Sequence, residues 1–168
     1  CLCKETDLHL FGKHNIQNCL AAALLTYCAG ASIDVIRRVL TEFRGVEHRL
    51  EWVRDVKGVP YYNDSKGTNT DASEKALEAF SGHLILIAGG HDKMTDLTSF
   101  MKLAARKVDT LILVGEAADR FEAEARKAGM KDIRRVGFSM EKAVRTAYET
   151  AEKGQTVLLS PACSSYDM

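Results

Sequence analysis

Apolar residues recur first at helical and later at strand spacing. Residues 14–29, HNIQNCLAAALLTYCA, put Ile16, Leu20, Ala23, Leu24 and Tyr27 on one side of a helix that Gly30 stops. Ser32 can cap a second helix, whose buried stripe is expected to be Ile33, Ile36, Val39, Leu40 and Phe43; Gly45 ends it. RLEWVRDV alternates Leu50, Trp52 and Val56 with polar residues, and Lys57-Gly58 turns it into VPYYN, a hairpin pattern. A helix with Ala72, Ala76, Leu77 and Phe80 on one side follows, with Thr68 or Thr70 as its expected cap.

Strand and helix then alternate. HLILIAG (83–89) precedes a helix facing inward through Leu97, Phe100, Met101 and Ala104. TLILVG (110–115) precedes one with Phe121, Ala125 and Ala128. A short strand near Ile133–Val136 leads to a helix bearing Met140, Ala143, Val144, Ala147, Tyr148 and Ala151, and TVLLS (156–160) closes the series. Continuous aliphatic strands between amphipathic helices predict a parallel sheet covered on both faces. The expected fold class is α/β, a doubly wound, mostly parallel Rossmann-like sheet over residues 47–168. The two helices of residues 1–46 belong to a preceding domain, with the join near 44–48.

Composition narrows the function. With 46% hydrophobic residues the chain can bury a core, and 23 basic against 23 acidic side chains point to neither nucleic acid nor a membrane surface. No apolar run approaches the roughly 18 residues of a membrane span. The five cysteines, Cys1, Cys3, Cys19, Cys28 and Cys163, are irregularly spaced, which fits a reducing cytosol, with Cys19 and Cys28 expected to pack as small apolar groups. The chain opens without methionine and stops inside a polar loop, so it reads as a piece of a longer protein.

In open parallel sheets ligands sit beyond the carboxyl ends of the strands. NDSKGTN (63–69), GGHDK (89–93), GEAAD (115–119) and SPACSS (160–165) are expected there. Lys66 and Lys93 supply charge, Thr68, Ser160, Ser164 and Ser165 supply hydroxyls, and Gly89 and Gly90 would let a ligand approach the backbone. Such a rim suits a carboxylate or phosphate, helped by helix N-termini. Each loop also has a plain reading: an Asx-turn for NDS, a tight turn with a solvated lysine for GGHDK, a proline turn over a buried thiol for SPACSS. GKH at 12–14 is no P-loop, since histidine follows Lys13 and Asp7 stands where a glycine is required. Cys1-x-Cys3 is too closely spaced for a usual zinc pair with His9 and His14. His48 and His91 read as surface residues and Cys163 as a packed thiol.

GKHNIQNCLAAA, FRGVEHRLEWV, NDSKGTN, LIAGGHDK and LLSPACSSYDM resemble, in order and spacing, the Mur ligases. NDSK.TN with SPAC.S.D is the narrower signal and is similar to the branch that adds D-glutamate. The resemblance implies an ATP-dependent amide ligation through an acyl phosphate, in peptidoglycan synthesis in the bacterial cytoplasm. Residues 1–46 would be the end of the central ATP-binding domain, and 47–168 a truncated C-terminal amino-acid-binding domain. Partners implied are D-glutamate, ATP or ADP, and UDP-N-acetylmuramoyl-L-alanine, with Mg2+ held mainly by the missing chain and the full-length protein a monomer.

The site residues follow from the same resemblance. Asn15, with His14 and Asn18, would hold the adenine end of ATP. Arg49 would reach the nucleotide across the domain junction, Lys66 would lie close to it, and Asp64 would accept from the ribose hydroxyls. Thr68, Lys93 and Ser165 would grip the carboxylates of D-glutamate. Gly67 stands where the family motif usually has alanine, and Tyr166 where an aliphatic residue is common. Closure about 44–48 is expected to assemble the site, and the fragment alone is expected to be inactive. A folylpolyglutamate synthetase, another Mur ligase, and a non-catalytic nucleotide- or anion-binding module are the competing readings.

Overall fold

The structure, a computed structural model, describes residues 2–10 and 12–164. The chain divides into two compact units, Cys1–Glu47 and His48–Met168. The first contains α1 (Lys13–Cys28) and α2 (Ile33–Glu42). Ser32 caps α2, its hydroxyl accepting from the Val35 N–H at 3.4 Å. Only Ala23 and Ile36 of the two apolar faces are buried, whereas Leu20, Leu24, Tyr27, Ile33, Val39 and Phe43 are exposed. This departs from the buried stripe expected of α2. Two helices can cover only the line along which they touch, and the CLAAALL run of α1 is apolar on nearly all sides. For the same reason Cys28 is exposed and Cys19 only half-buried rather than packed.

The second unit holds a six-stranded sheet in the order β1-β2-β6-β3-β4-β5. Its strands are β1 (Glu51–Val56), β2 (Val59–Asn63), β3 (Leu84–Gly89), β4 (Val108–Val114), β5 (Ile133–Arg135) and β6 (Thr156–Leu159). β1 and β2 form the antiparallel hairpin, and every other pairing is parallel. Lys57 and Gly58 at its turn have φ of 53° and 80°, a left-handed pair whose twist matches the strands.

The helices are α3 (Thr70–Glu78), α4 (Thr98–Lys107), α5 (Ala118–Lys127) and α6 (Met140–Thr150). Alternation along β3 sorts them between two faces. Leu84, Leu86 and Ala88 join Leu77, Phe100, Met101 and Phe121 of α3, α4 and α5 in one core. Ile85 and Ile87 join Ala143 and Ala147 of α6 in the other. The sheet is thus mostly parallel with helices on both faces, as the pattern predicts. Coverage of the α6 face is incomplete: an apolar groove of about 770 Å³ runs past Val56, Tyr61, Val144, Tyr148 and Val157.

Candidate functional site

β2, β6, β3 and β4 are neighbours running in one direction, so the loops after Asn63, Gly89, Val114 and Leu159 emerge at one edge. Backbone bonds stitch them together. Ala162 N donates to Gly67 O at 2.8 Å, Gly89 N to Pro161 O at 2.9 Å, His91 N to Ser164 O at 2.9 Å and Ala117 N to Gly90 O at 2.9 Å. Gly89 and Gly90 have φ of 113° and 134°. A Cβ at the first would strike the Val114 carbonyl, and at the second the Ser164 carbonyl. These glycines therefore admit the neighbouring loops.

The 63–69 loop rests on a buried polar knot. Asp64 is 4% exposed, Ser73 and Ser160 0%. The Asp64 carboxylate accepts from the Leu50 N–H at 3.2 Å and from the Ser160 hydroxyl at 2.7 Å. Ser73 Oγ lies 2.8 Å from Ser160 Oγ and 3.2 Å from the Gly67 carbonyl. An ionised carboxylate only accepts, so the Ser160 proton goes to Asp64 and the Ser73 proton serves Ser160 or Gly67. Asp64 thus faces inward in this structure. Gly67 makes room for this pose, since a Cβ there would lie 2.5 Å from Asp64 Oδ2 and 2.8 Å from Ser160 Oγ. The cap of α3 is Asn69, whose Oδ1 accepts from the Ala72 N–H at 2.8 Å, and neither Thr68 nor Thr70.

What the loop presents outward is Lys66, exposed, and Thr68, half-buried. Lys66 N–H donates to the His48 carbonyl at 3.0 Å, which ties the loop to the 48–51 corner. Glu51 fixes that corner by accepting from the His48 N–H at 2.9 Å and from Asn63 Nδ2 at 3.3 Å. Arg49 projects from the corner and is exposed. Lys93, exposed on the 89–96 loop, donates its ammonium to the Thr68 carbonyl at 3.0 Å. The second unit therefore brings Lys66, Thr68 and Lys93 to one rim. Ser165 lies outside the described residues.

The 89–96 loop is itself tied down. Arg120, in the first turn of α5, donates Nε and one Nη to the two Asp92 oxygens at 2.6 Å each. Its other Nη donates to the Thr95 carbonyl at 2.8 Å. The guanidinium, more than the Met94 N–H, holds the Asp92 carboxyl below its ordinary range, against a burial that raises it. His91 Nδ1 lies 2.7 Å from Glu116 Oε2. Sequence reasoning missed this pair, for nothing local marks an arginine 28 positions beyond its aspartate.

His14, Asn15 and Asn18 share the first turns of α1 in the other unit. Asn15 is 8% exposed and its Oδ1 accepts from Asn18 Nδ2 at 3.3 Å. Among the described residues no group of three or more His, Cys, Asp or Glu could hold a metal ion. No described helix is long and apolar enough to cross a membrane.

Residues 48–163 match the family described as Mur ligase, glutamate ligase domain. The chain is 48% identical over 167 residues to the UDP-N-acetylmuramoylalanine–D-glutamate ligase of Caldanaerobacter subterraneus, with 98% of this chain and 37% of that protein covered. The ligase of the same name from Clostridioides difficile is 46% identical over 164 residues, covering 98% and 36%. The chain thus spans little more than a third of the curated relatives it matches. Among solved structures, Thermotoga maritima UDP-N-acetylmuramate-alanine ligase superposes with a TM-score of 0.74 at 20% identity, covering 92% of this chain and 36% of that one. The folylpolyglutamate synthase of the same organism gives 0.65 at 18%, covering 92% and 37%. At such identities these two likenesses establish the fold alone. The family match spans nearly the whole sheet-bearing unit, and by it this chain belongs to the Mur ligases.

Proposed function

We propose that this chain is the amino-acid-positioning part of a cytoplasmic bacterial ligase that joins D-glutamate to UDP-N-acetylmuramoyl-L-alanine in peptidoglycan synthesis. The observation that carries it is the meeting of Lys93 with Thr68 at 3.0 Å, which sets a cation beside a threonine and Lys66 on one rim. Two relatives that are 48% and 46% identical to this chain over 167 and 164 residues carry that ligase name. In this reading residues 1–46 close the ATP-binding domain and 47–168 receive the amino acid.

ATP supplies the γ-phosphoryl group that converts the acceptor carboxylate to an acyl phosphate and leaves ADP. The amine of D-glutamate then attacks the acyl carbon, the carbon–nitrogen bond forms and inorganic phosphate leaves. The chain's own residues bind and orient. Lys93 gives one N–H to the Thr68 carbonyl and turns the rest of its ammonium to a carboxylate, with the Thr68 and Ser165 hydroxyls as further donors. Arg49 and Lys66 place fixed charge toward nucleotide phosphate. His14, Asn15 and Asn18 read the adenine. Asp64, engaged beneath the loop, holds Lys66 and Thr68 in place in this conformation. Holding the amine beside the acyl phosphate makes the attack effectively unimolecular, an effect worth up to about 7–11 kcal/mol.

The test uses the full-length protein that carries this segment. Phosphate release dependent on ATP and the nucleotide sugar is expected with D-glutamate, and not with L-glutamate, L-lysine or diaminopimelate. Lys93→Ala and Thr68→Ala are expected to raise the KM for D-glutamate. Equal turnover of the other amino acids, or an unchanged KM in both variants, would overturn the reading.

A further inference from the structure

We infer that Arg120 is a positioning residue for Lys93, and that it acts on amino-acid binding entirely through the loop that carries this lysine. The inference rests on the proposed role of Lys93 and goes beyond it, because Arg120 sits on a different element and none of its contacts is to Lys93 itself.

The segment between the end of β3 at Gly89 and the start of α4 at Thr98 has no regular structure beyond a single bridge at His91. A lysine on such a segment is held only as well as its flanks. On the N-terminal side His91 is fixed through its N–H to Ser164 and its ring to Glu116. Asp92, next to the lysine, has both carboxylate oxygens on the Arg120 fork at 2.6 Å. On the C-terminal side the Met94 N–H donates to Asp92 Oδ1 at 2.8 Å, and the Thr95 carbonyl accepts from Arg120 at 2.8 Å. Arg120 therefore grips the residues immediately before Lys93 and two after it with one rigid guanidinium.

The geometry asks for a fork. Met94 has a φ of 55°, a left-handed turn that a methionine adopts only where its surroundings enforce it. The Asp92 and Arg120 side chains are 12% and 27% exposed, so water competes weakly for the pair. A lysine at 120 would offer its donors from a single point, whereas the planar guanidinium spreads them in a fork that meets both Asp92 oxygens and the Thr95 carbonyl at once. Losing the fork frees the turn and lets the Lys93 ammonium leave the Thr68 carbonyl.

The test is a double-mutant cycle in the full-length protein, reading the KM for D-glutamate and for ATP separately. Arg120→Met is expected to raise the KM for D-glutamate about five- to tenfold, the scale of a small misplacement of a binding group, with the KM for ATP unchanged. Arg120→Lys is expected to fall between, and it carries the same reading should the methionine variant fail to fold. In a Lys93→Met background, Arg120→Met is expected to add nothing. If Lys93→Met raises the KM while Arg120→Met leaves it alone, or if the two effects multiply in full, the positioning role is wrong and the function stands. If Lys93→Met itself leaves the KM unchanged, the functional reading falls and this inference with it.

Discussion

The carboxylate of Asp64 and the hydroxyl of Ser160 meet at 2.7 Å, although 96 positions separate them in the chain. The contact joins the loop after β2 to the end of β6, beneath the side chains assigned to the ligand. Both residues are buried, so neither can turn to water if the other is lost. Ser160→Ala removes a donor to the Asp64 carboxylate at a place with little access to water. The expected cost is about 2 kcal/mol, read as a Tm lower by roughly 4–8 °C. A change below about 1 °C would show that the knot contributes little.

Gly67 tests the same knot from above. Its φ is not in the left-handed region, so the backbone tolerates alanine and only the added methyl matters. That methyl would lie 2.5 Å from Asp64 Oδ2 and 2.8 Å from Ser160 Oγ. Gly67→Ala is expected to break the Asp64–Ser160 contact and destabilise by about 1–3 kcal/mol. The double variant with Ser160→Ala should cost less than the sum, because both changes spend the same contact. Thermal unfolding of the three variants decides it, and strict additivity would refute the shared contact.

Most of the sheet was legible in the chain because burial on both faces writes continuous aliphatic runs. LILIAG and TLILVG carry that signature, and the helical spacing after each places α4 and α5. Apolar spacing alone does not say what covers a face. The stripe of α2 reads as core yet is largely exposed, since a periodic pattern names the face and not its partner. Ser73 went unmarked for the opposite reason. A serine reads as surface, but here its hydroxyl is buried against Ser160. The rim loops were placed by topology, while the inward turn of Asp64 and the Asp92–Arg120 pair depend on residues distant in the chain. No local pattern encodes such contacts.

Acid should loosen the loop that carries Lys93. The Arg120 guanidinium holds the Asp92 carboxyl below its ordinary value of 3.8. A depressed folded-state value means the pair stabilises fully above the unfolded value and loses that contribution as pH falls below it. Asp92→Asn is expected to be less stable than the parent by about 1–3 kcal/mol at neutral pH. The gap in Tm should hold steady down to about pH 5 and close as pH drops through and below 3.8. A gap that widens on acidification would reverse the assigned sign.

Lys107 offers a contrast between a screened and a sheltered cation. Its partly buried ammonium donates to the Leu77 carbonyl at 3.0 Å and also to the Phe80 carbonyl, at the end of α3. Carbonyls at a helix C-terminus lack partners within the helix, and a cation there also meets the negative end of the dipole. Lys107→Met keeps most of the aliphatic stem and removes only the charge and its donors. The expected loss is about 1–2 kcal/mol in urea unfolding, with faster amide exchange over residues 77–80. Lys75, paired with Glu78 at 2.8 Å on the exposed side of the same helix, serves as the control. Lys75→Met should leave stability unchanged, and added salt should not narrow the difference between the two variants, because the Lys107 contacts are sheltered from counterions. Equal losses in both, or erasure of the Lys107 loss by salt, would show that its contacts are no stronger than an ordinary surface pair.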